Sequence, residues 1–275
     1  MTRWKKLLAG VAAAGFVGAG ALAGDPNRVV VDGSTTGGPV AKAFAEYYMK
    51  KNPGVTINVS ESGSGNGAKG LVNGVLDVGT MSRAMKDSEI KAAAEAGILA
   101  VPNVIAMDGI AIVVHPSNPV KALTLEQVRA IYMGQIRSWK DLGGPDQDIV
   151  VVSRETNSGT YETFETMVMK AAKMTEKAEY VGSNGAIRQR VMSTPGAVGY
   201  VGLAFVEGVK ALSINGVEPS QETVLAKKYP ISRPLYMYTN GRPKEGTHMY
   251  NYVMLYKTAD GRKIIEDVGF VPLAP

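Results

Sequence analysis

Three times along this chain, a short apolar strand gives way to a run of glycine, serine and threonine, and then to a helical repeat. Val29-Val30-Val31 leads into Asp32-Gly33-Ser34-Thr35-Thr36-Gly37-Gly38, after which Pro39 opens a helix with Val40, Phe44 and Tyr47 at helical spacing. Val55, Ile57 and Val59 alternate as a strand ahead of Ser62-Gly63-Ser64-Gly65-Asn66-Gly67. Ile149 to Val152 is a buried strand, followed by Arg154-Glu155-Thr156-Asn157-Ser158-Gly159-Thr160 and an amphipathic stretch from Tyr161 to Lys173. Strands connected through helices run parallel, and a parallel sheet needs helices on both faces. Further strands are predicted at Leu76–Gly79, Gly109–His115, Val198–Val201 and Pro234–Thr239, with helices at Ser88–Ala96 and Gly246–Lys257. The capping box Thr124-Leu125-Glu126-Gln127 opens another helix, which runs through Tyr132. These are too many strands for one small sheet, and no linker separates independent halves. The expected fold class is therefore α/β, as two lobes of mostly parallel sheet flanked by helices and joined by crossing strands.

The first residues stand apart from that pattern. Arg3, Lys5 and Lys6 precede an apolar, small-residue run from Leu7 to Ala19, and Ala21-Leu22-Ala23 forms an A-x-A cleavage pattern. A cleaved signal peptide over residues 1–23 is expected, because the run is too short for a membrane anchor. The chain has no cysteine, so neither a lipid-modified Cys nor a disulfide is available and stability must come from a core. Removing the three leader cations from the formal charge of +5 leaves +2, too mild for nucleic-acid binding.

The loops carry the chemistry. Helix N-termini expose backbone N–H groups at a positive dipole end, glycine admits an anion close to the main chain, and hydroxyls add neutral donors. Arg154 adds a planar charged fork suited to an oxyanion. Catalysis is poorly supported. Ser64 and Ser158 lie outside G-x-S-x-G, and the two histidines, His115 and His248, have no metal-ligand spacing. Gly65-Asn66-Gly67-Ala68-Lys69-Gly70 formally matches a dinucleotide fingerprint, but Glu89, at the required distance, falls on a helix start rather than a strand end.

Gly33-Ser34-Thr35-Thr36, Ser62-Gly63-Ser64-Gly65, Met107-Asp108-Gly109-Ile110-Ala111, Ile136 to Leu142, Arg154 to Thr160 and Thr194 to Tyr200 resemble successive segments of the phosphate-binding proteins of phosphate ABC transporters. The resemblance implies a periplasmic-binding-protein type II fold that holds phosphate between its lobes. It places residues 24–112 and 233–275 in lobe 1 and residues 113–232 in lobe 2. It further implies a periplasmic, monomeric receptor that delivers inorganic phosphate to permease subunits, without a cofactor or a reaction of its own. Carried over, Thr35 and Thr36 offer backbone and hydroxyl donors, Ser64 does the same, and Arg154 pairs with the dianion while Ser158, Gly159 and Thr160 cradle it. Ser82 stands where members of the family often have an aspartate that accepts the phosphate proton, and Arg83 adds a cation beside it. Asp108 is then either the replacement acceptor or the partner that neutralises Arg83. A receptor for sulfate or molybdate and a secreted phosphatase are the competing readings.

Overall fold

Val29 and Val31 point inward from β1 (Arg28–Gly33), which pairs in parallel with β2 (Thr56–Val59) and β3 (Val78–Met81). The structure, a computed structural model, describes residues 25–274, so the expected signal peptide lies outside the described residues. The connections are α1 (Gly38–Lys51) and α2 (Ser64–Val72); α1 buries Val40, Ala41, Phe44, Ala45 and Tyr48 along one stripe. After α3 (Asp87–Glu95) comes β4 (Ala100–Val114), a long strand that runs out of this half of the molecule.

The second half begins with the short β5 (Ala122–Leu123) and α4 (Leu125–Tyr132), whose expected capping box forms: Gln127 N donates to Thr124 Oγ1 at 3.1 Å and Thr124 N to Gln127 Oε1 at 2.8 Å. It continues through β6 (Val150–Arg154), α5 (Gly159–Phe164), β7 (Glu179–Val181), α6 (Asn184–Met192) and β8 (Ala197–Gly202). Next come β9 (Lys210–Ala211), β10 (Ser213–Ile214) and α7 (Gln221–Leu225). The chain then returns through β11 (Ser232–Asn240) and ends on α8 (His248–Val253) and α9 (Ala259–Val268). The strand order is β2-β1-β3-β11-β4-β8-β6-β7, with β9 on β4 and a separate β5–β10 pair.

Two large cores lie along this sheet, beside a smaller cluster of Ala68, Leu71, Met81, Met85 and Tyr238. One gathers Val31, Phe44, Ile105, Ala106, Leu235 and Phe270; the other gathers Ile110 to Val114, Tyr132, Trp139, Phe164 and Tyr200. Strand β4 pairs antiparallel with β11 up to Gly109 and with β8 from Ile110 onward, so it changes neighbour where it changes core. The fold is the two-lobed α/β arrangement, with β4 and β11 as the crossing strands.

Several elements differ from expectation. Strand β3 lies two residues later than predicted because Asp77 stays outside it, its carboxylate accepting from Val30 N at 2.7 Å. Strand β4 begins nine residues before the predicted Gly109 because Asn103 and Asp108, both buried, interrupt the apolar signal. The helix expected over Tyr161–Lys173 is α5 followed by a π-helical turn at Glu165–Met169. Among the described residues no helix is long and apolar enough to cross a membrane.

Candidate anion-binding site

At the end of β1 the Asp32 carboxylate accepts from Gly33 N at 2.7 Å, Ser62 N at 3.1 Å and Ser62 Oγ at 2.6 Å, tying the first two loops together. Ser34 Oγ accepts from Thr36 N and Gly37 N, both at 3.1 Å, in the turn just ahead of α1. The Thr36 backbone N–H, expected to face the anion, is thereby engaged within that turn. The Thr35 and Thr36 side chains are buried. Gly63, at φ +106°, turns the second loop so that Ser64 opens α2, inside the first helical turn rather than ahead of it. Ser64 Oγ accepts from Ser82 N at 3.1 Å and lies 3.3 Å from Ser82 Oγ.

Arg154 ends β6, where Tyr200 receives its backbone N–H at 3.2 Å and bonds Ser153 Oγ at 2.9 Å. Its Nε donates to Val181 O at 3.2 Å, and its Nη2 to Gly182 O at 2.8 Å and Thr35 Oγ1 at 3.1 Å. Ser158 caps α5, accepting from Thr160 N at 3.2 Å and Tyr161 N at 3.3 Å. A Cβ on Gly159 would stand 2.4 Å from Ser64 Oγ and 2.7 Å from Ser82 Oγ, so a larger residue could not bring α5 against those hydroxyls. Thr36, ahead of α1, and Thr160, at the start of α5, meet Oγ1 to Oγ1 at 2.9 Å.

The structure adds two residues that the sequence reading missed. Arg233 on β11 is 3% exposed; its Nε and Nη2 donate to Asp108 Oδ2 at 3.1 and 2.9 Å, and Nη2 also reaches Thr160 Oγ1 at 3.0 Å and Thr36 Oγ1 at 3.3 Å. Asn184 at the start of α6 donates from Nδ2 to Thr35 Oγ1 at 3.2 Å and to Thr36 Oγ1 at 2.9 Å, while its Oδ1 accepts from Gly202 N at 3.2 Å. The available signal for Arg233 was an arginine between Ile231 and Leu235 in an otherwise buried strand. Asn184 carried none, because it follows Ser183, an ordinary cap.

Asp108 and Arg83 need correcting. They do not pair: Asp108 is the partner of Arg233, and its Oδ1 also accepts from Leu203 N at 3.0 Å. Arg83 is not brought to the cluster. Strand β3 sends Ser82 inward, and the next side chain turns to two nearer acids, Glu89 through two bonds of 2.7 Å and Glu162 on α5. Thr35, Thr36, Ser64, Ser82, Asp108, Arg154, Ser158, Gly159 and Thr160 are brought together.

The cluster carries a positive excess. Burial pulls the Arg154 pKa down to about 10, with Arg233 nearby adding to the fall against an opposing pull from Tyr200. Burial likewise lowers Arg233 and raises Asp108, and their mutual attraction opposes both shifts. Nη1 of each arginine is buried and hydrogen-bonds to nothing in the protein. Two guanidiniums, one carboxylate and a ring of hydroxyls can neutralise and orient a compact anion.

Residues 20–256 match the family model of the PBP superfamily domain. The chain is 34% identical over 254 residues to the phosphate-binding protein PstS of Staphylococcus saprophyticus, covering 88% of this chain and 79% of that protein. It is 33% identical over 252 residues to PstS of Bacillus subtilis, with 89% and 80% covered. A Clostridium perfringens substrate-binding protein assigned to a phosphate ABC transporter, solved with bound phosphate, is 36% identical and superposes with a TM-score of 0.83 over 90% of this chain and all of that one. An ABC-type phosphate transport receptor from Vibrio cholerae is 31% identical with a TM-score of 0.72, again over 90% of this chain and all of that one. By sequence and by fold, this chain belongs to the PBP superfamily and, within it, to the PstS phosphate-binding proteins.

Proposed function

We propose that this chain captures inorganic phosphate between its lobes and delivers it to the permease of an ABC transporter, as a periplasmic, monomeric binding protein that catalyses no reaction. The carrying observation is the pair of buried nitrogens, Nη1 of Arg154 and of Arg233, that bond to nothing in the protein although they lie in one ring of hydroxyls. Buried donors are almost always bonded, so a site that leaves two cationic donors over calls for an anion with several oxygens. The positive excess favours a divalent one.

Thr35, Thr36, Ser64 and Ser82 come from lobe 1 and Arg154, Ser158, Gly159 and Thr160 from lobe 2, with boundaries near residues 112 and 233. An anion bridging them favours the closed arrangement, and β4 with β11 forms the hinge about which it opens. Against a phosphatase stands the placement of the histidines: His115 Nδ1 bonds Ser117 Oγ at 2.7 Å and His248 Nδ1 bonds Tyr48 Oη at 3.0 Å, both away from the cluster. Titration calorimetry should show one phosphate per chain and scattering a smaller radius of gyration on binding. Absence of heat with phosphate, or steady release of product from a chromogenic phosphate ester, would overturn this reading.

A further inference from the structure

Strands β6 and β8 start side by side and then part. Their parallel ladder pairs Val150 with Ala197 and Val151 with Val198, and ends there. Beyond it β8 follows β4, from Gly199 opposite Val113 to Gly202 opposite Ile110. Strand β6 follows β7 instead, from Val152 opposite Glu179 to Arg154 opposite Val181. Alternate residues of a strand turn their main-chain groups to the same neighbour. Val150 N donates to Gly196 O at 3.0 Å, so Val150, Val152 and Arg154 all face the β8 side. The parting leaves the Val152 carbonyl and the Arg154 N–H without a strand to bond, and both residues are buried. Unpaired, each group would carry the desolvation cost of a lost hydrogen bond.

Two tyrosine hydroxyls fill the gap. Tyr132 Oη, from α4, donates to Val152 O at 3.1 Å, and Tyr200 Oη, from β8 itself, accepts from Arg154 N at 3.2 Å. Tyr200 Oη also bonds Ser153 Oγ at 2.9 Å, so it holds two consecutive residues of β6. Burial pushes the Tyr200 pKa up, which keeps this hydroxyl neutral beside the cation. The Tyr200 ring stacks on Phe164 of α5, with 4.1 Å between centroids and 5° between planes. The start of the same helix carries Ser158, Gly159 and Thr160. One fully buried side chain thus ties the main chain of Arg154 to the helix whose first turn completes the anion cluster.

We propose that Tyr200 is the positioning residue for Arg154, its hydroxyl standing in for the strand that has parted and fixing where the guanidinium meets the anion. The proposal rests on the phosphate-binding reading. On the β7 side, Val181 O and Gly182 O hold Nε and Nη2 of the guanidinium. On the opposite edge of β6, Tyr200 holds the main chain. Without that hydroxyl, Arg154 is anchored from one edge and its own N–H is left unpaired. Tyr132 supplies the comparison within the same gap. It makes the same kind of bond, but to Val152, a core residue that carries no charge to aim.

Phosphate calorimetry and urea denaturation test this on the wild type, Tyr200→Phe, Tyr132→Phe, Arg154→Met and the Tyr200→Phe/Arg154→Met double variant. Both tyrosine changes should lower ligand-free stability, because each strands a buried main-chain group. Tyr200→Phe should also weaken phosphate binding by roughly five- to tenfold, the worth of one neutral hydrogen bond. Tyr132→Phe should stay within about twofold of wild-type affinity. In Arg154→Met no guanidinium is left to place, so adding Tyr200→Phe should change affinity by less than about twofold. If Tyr200→Phe does not fold, Ser153→Ala, which removes the other partner of the hydroxyl, should give a roughly threefold loss that likewise vanishes in Arg154→Met. Wild-type affinity in Tyr200→Phe, equal losses from the two tyrosine changes, or an equal loss with and without Arg154 overturns the proposal. If Arg154→Met binds too weakly to be read, the comparison of the two tyrosine variants decides alone. A wild type that gives no heat with phosphate overturns the phosphate-binding reading itself.

Discussion

Arg154 and Arg233 are the same residue type, buried to 1% and 3% exposure on opposite sides of one cluster, yet they are held in opposite ways. All of the protein acceptors of Arg154 are neutral: two backbone carbonyls and the Thr35 hydroxyl. Arg233 shares a carboxylate, Asp108, through two of its nitrogens. A buried charge without a counter-charge is costly, whereas a paired one is tolerated provided that neither partner is removed. Arg154 is therefore a buried cation with only neutral acceptors, and Arg233 is one half of a buried ion pair. The unbalanced cation stands at the end of β6, and the crossing strands β4 and β11 bring the balanced pair.

The contrast can be broken from the Arg233 side first, where the largest effect is expected. Arg233→Met strands the Asp108 carboxylate in a dry site and should destabilise the ligand-free protein by about 3–5 kcal/mol, measured by urea denaturation. Adding Asp108→Asn should recover most of that loss. A single variant as stable as wild type would mean that the pair is not ionised.

Arg154→Met should do the reverse. It removes an unbalanced cation, so ligand-free stability should hold or rise, while phosphate binding weakens by roughly 2–5 kcal/mol. The folded pKa of about 10 lies below the ordinary guanidinium value, so the fold penalises this charge fully at any pH below about 10 and recovers only as pH rises above that. Near neutrality no modest pH change relieves it; an anion does. The melting-temperature gain on adding phosphate should accordingly shrink in Arg154→Met. A variant that loses ligand-free stability and keeps its affinity would invert the comparison.

The site loops were legible because each used local chemistry: a strand end, a small-residue turn and a helix start within ten residues. Ser158 capping α5 and Thr36 beside the α1 start are consequences of sequence neighbours alone. Arg233 and Asn184 were not legible, because their meaning comes from residues 125 and 149 positions away, Asp108 and Thr35. The misplaced Arg83–Asp108 pair failed for the same reason. Charge complementarity in sequence says nothing about which acid is nearer, and Glu89, six residues on, was nearer than Asp108. The crossing strands were foreseen in kind, but the length of β4 was hidden by the buried polar residues that serve the site.

The Arg83 cluster supplies the smallest and most specific test. Glu89 anchors the Arg83 guanidinium within lobe 1, and Glu162 approaches it from α5, with Lys86 Nζ 3.2 Å from the same carboxylate. The Arg83–Glu89 pair lies within one segment of the chain, whereas the contacts to Glu162 reach α5, and on the proposed hinge they belong to the closed form. The Arg83 and Glu162 side chains are 9% and 12% exposed, so this contact is worth somewhat more than a surface pair, about 1 kcal/mol. Glu162→Gln should thus cost roughly 3- to 10-fold in phosphate affinity by depopulating the closed state rather than by touching the anion. The phosphate-saturated radius of gyration should match wild type, the ligand-free one should be equal or larger, and the phosphate-to-sulfate ratio should not move. Raising the salt should weaken wild-type binding more than that of the variant, because a partly exposed ion pair is screened and its neutral replacement is not. If Glu162→Gln binds phosphate as tightly as wild type at low salt, the contact across the lobes contributes nothing to closure, and the hydroxyl and amide bonds that Thr36, Thr160 and Asn184 make across the cleft must hold the closed form unaided.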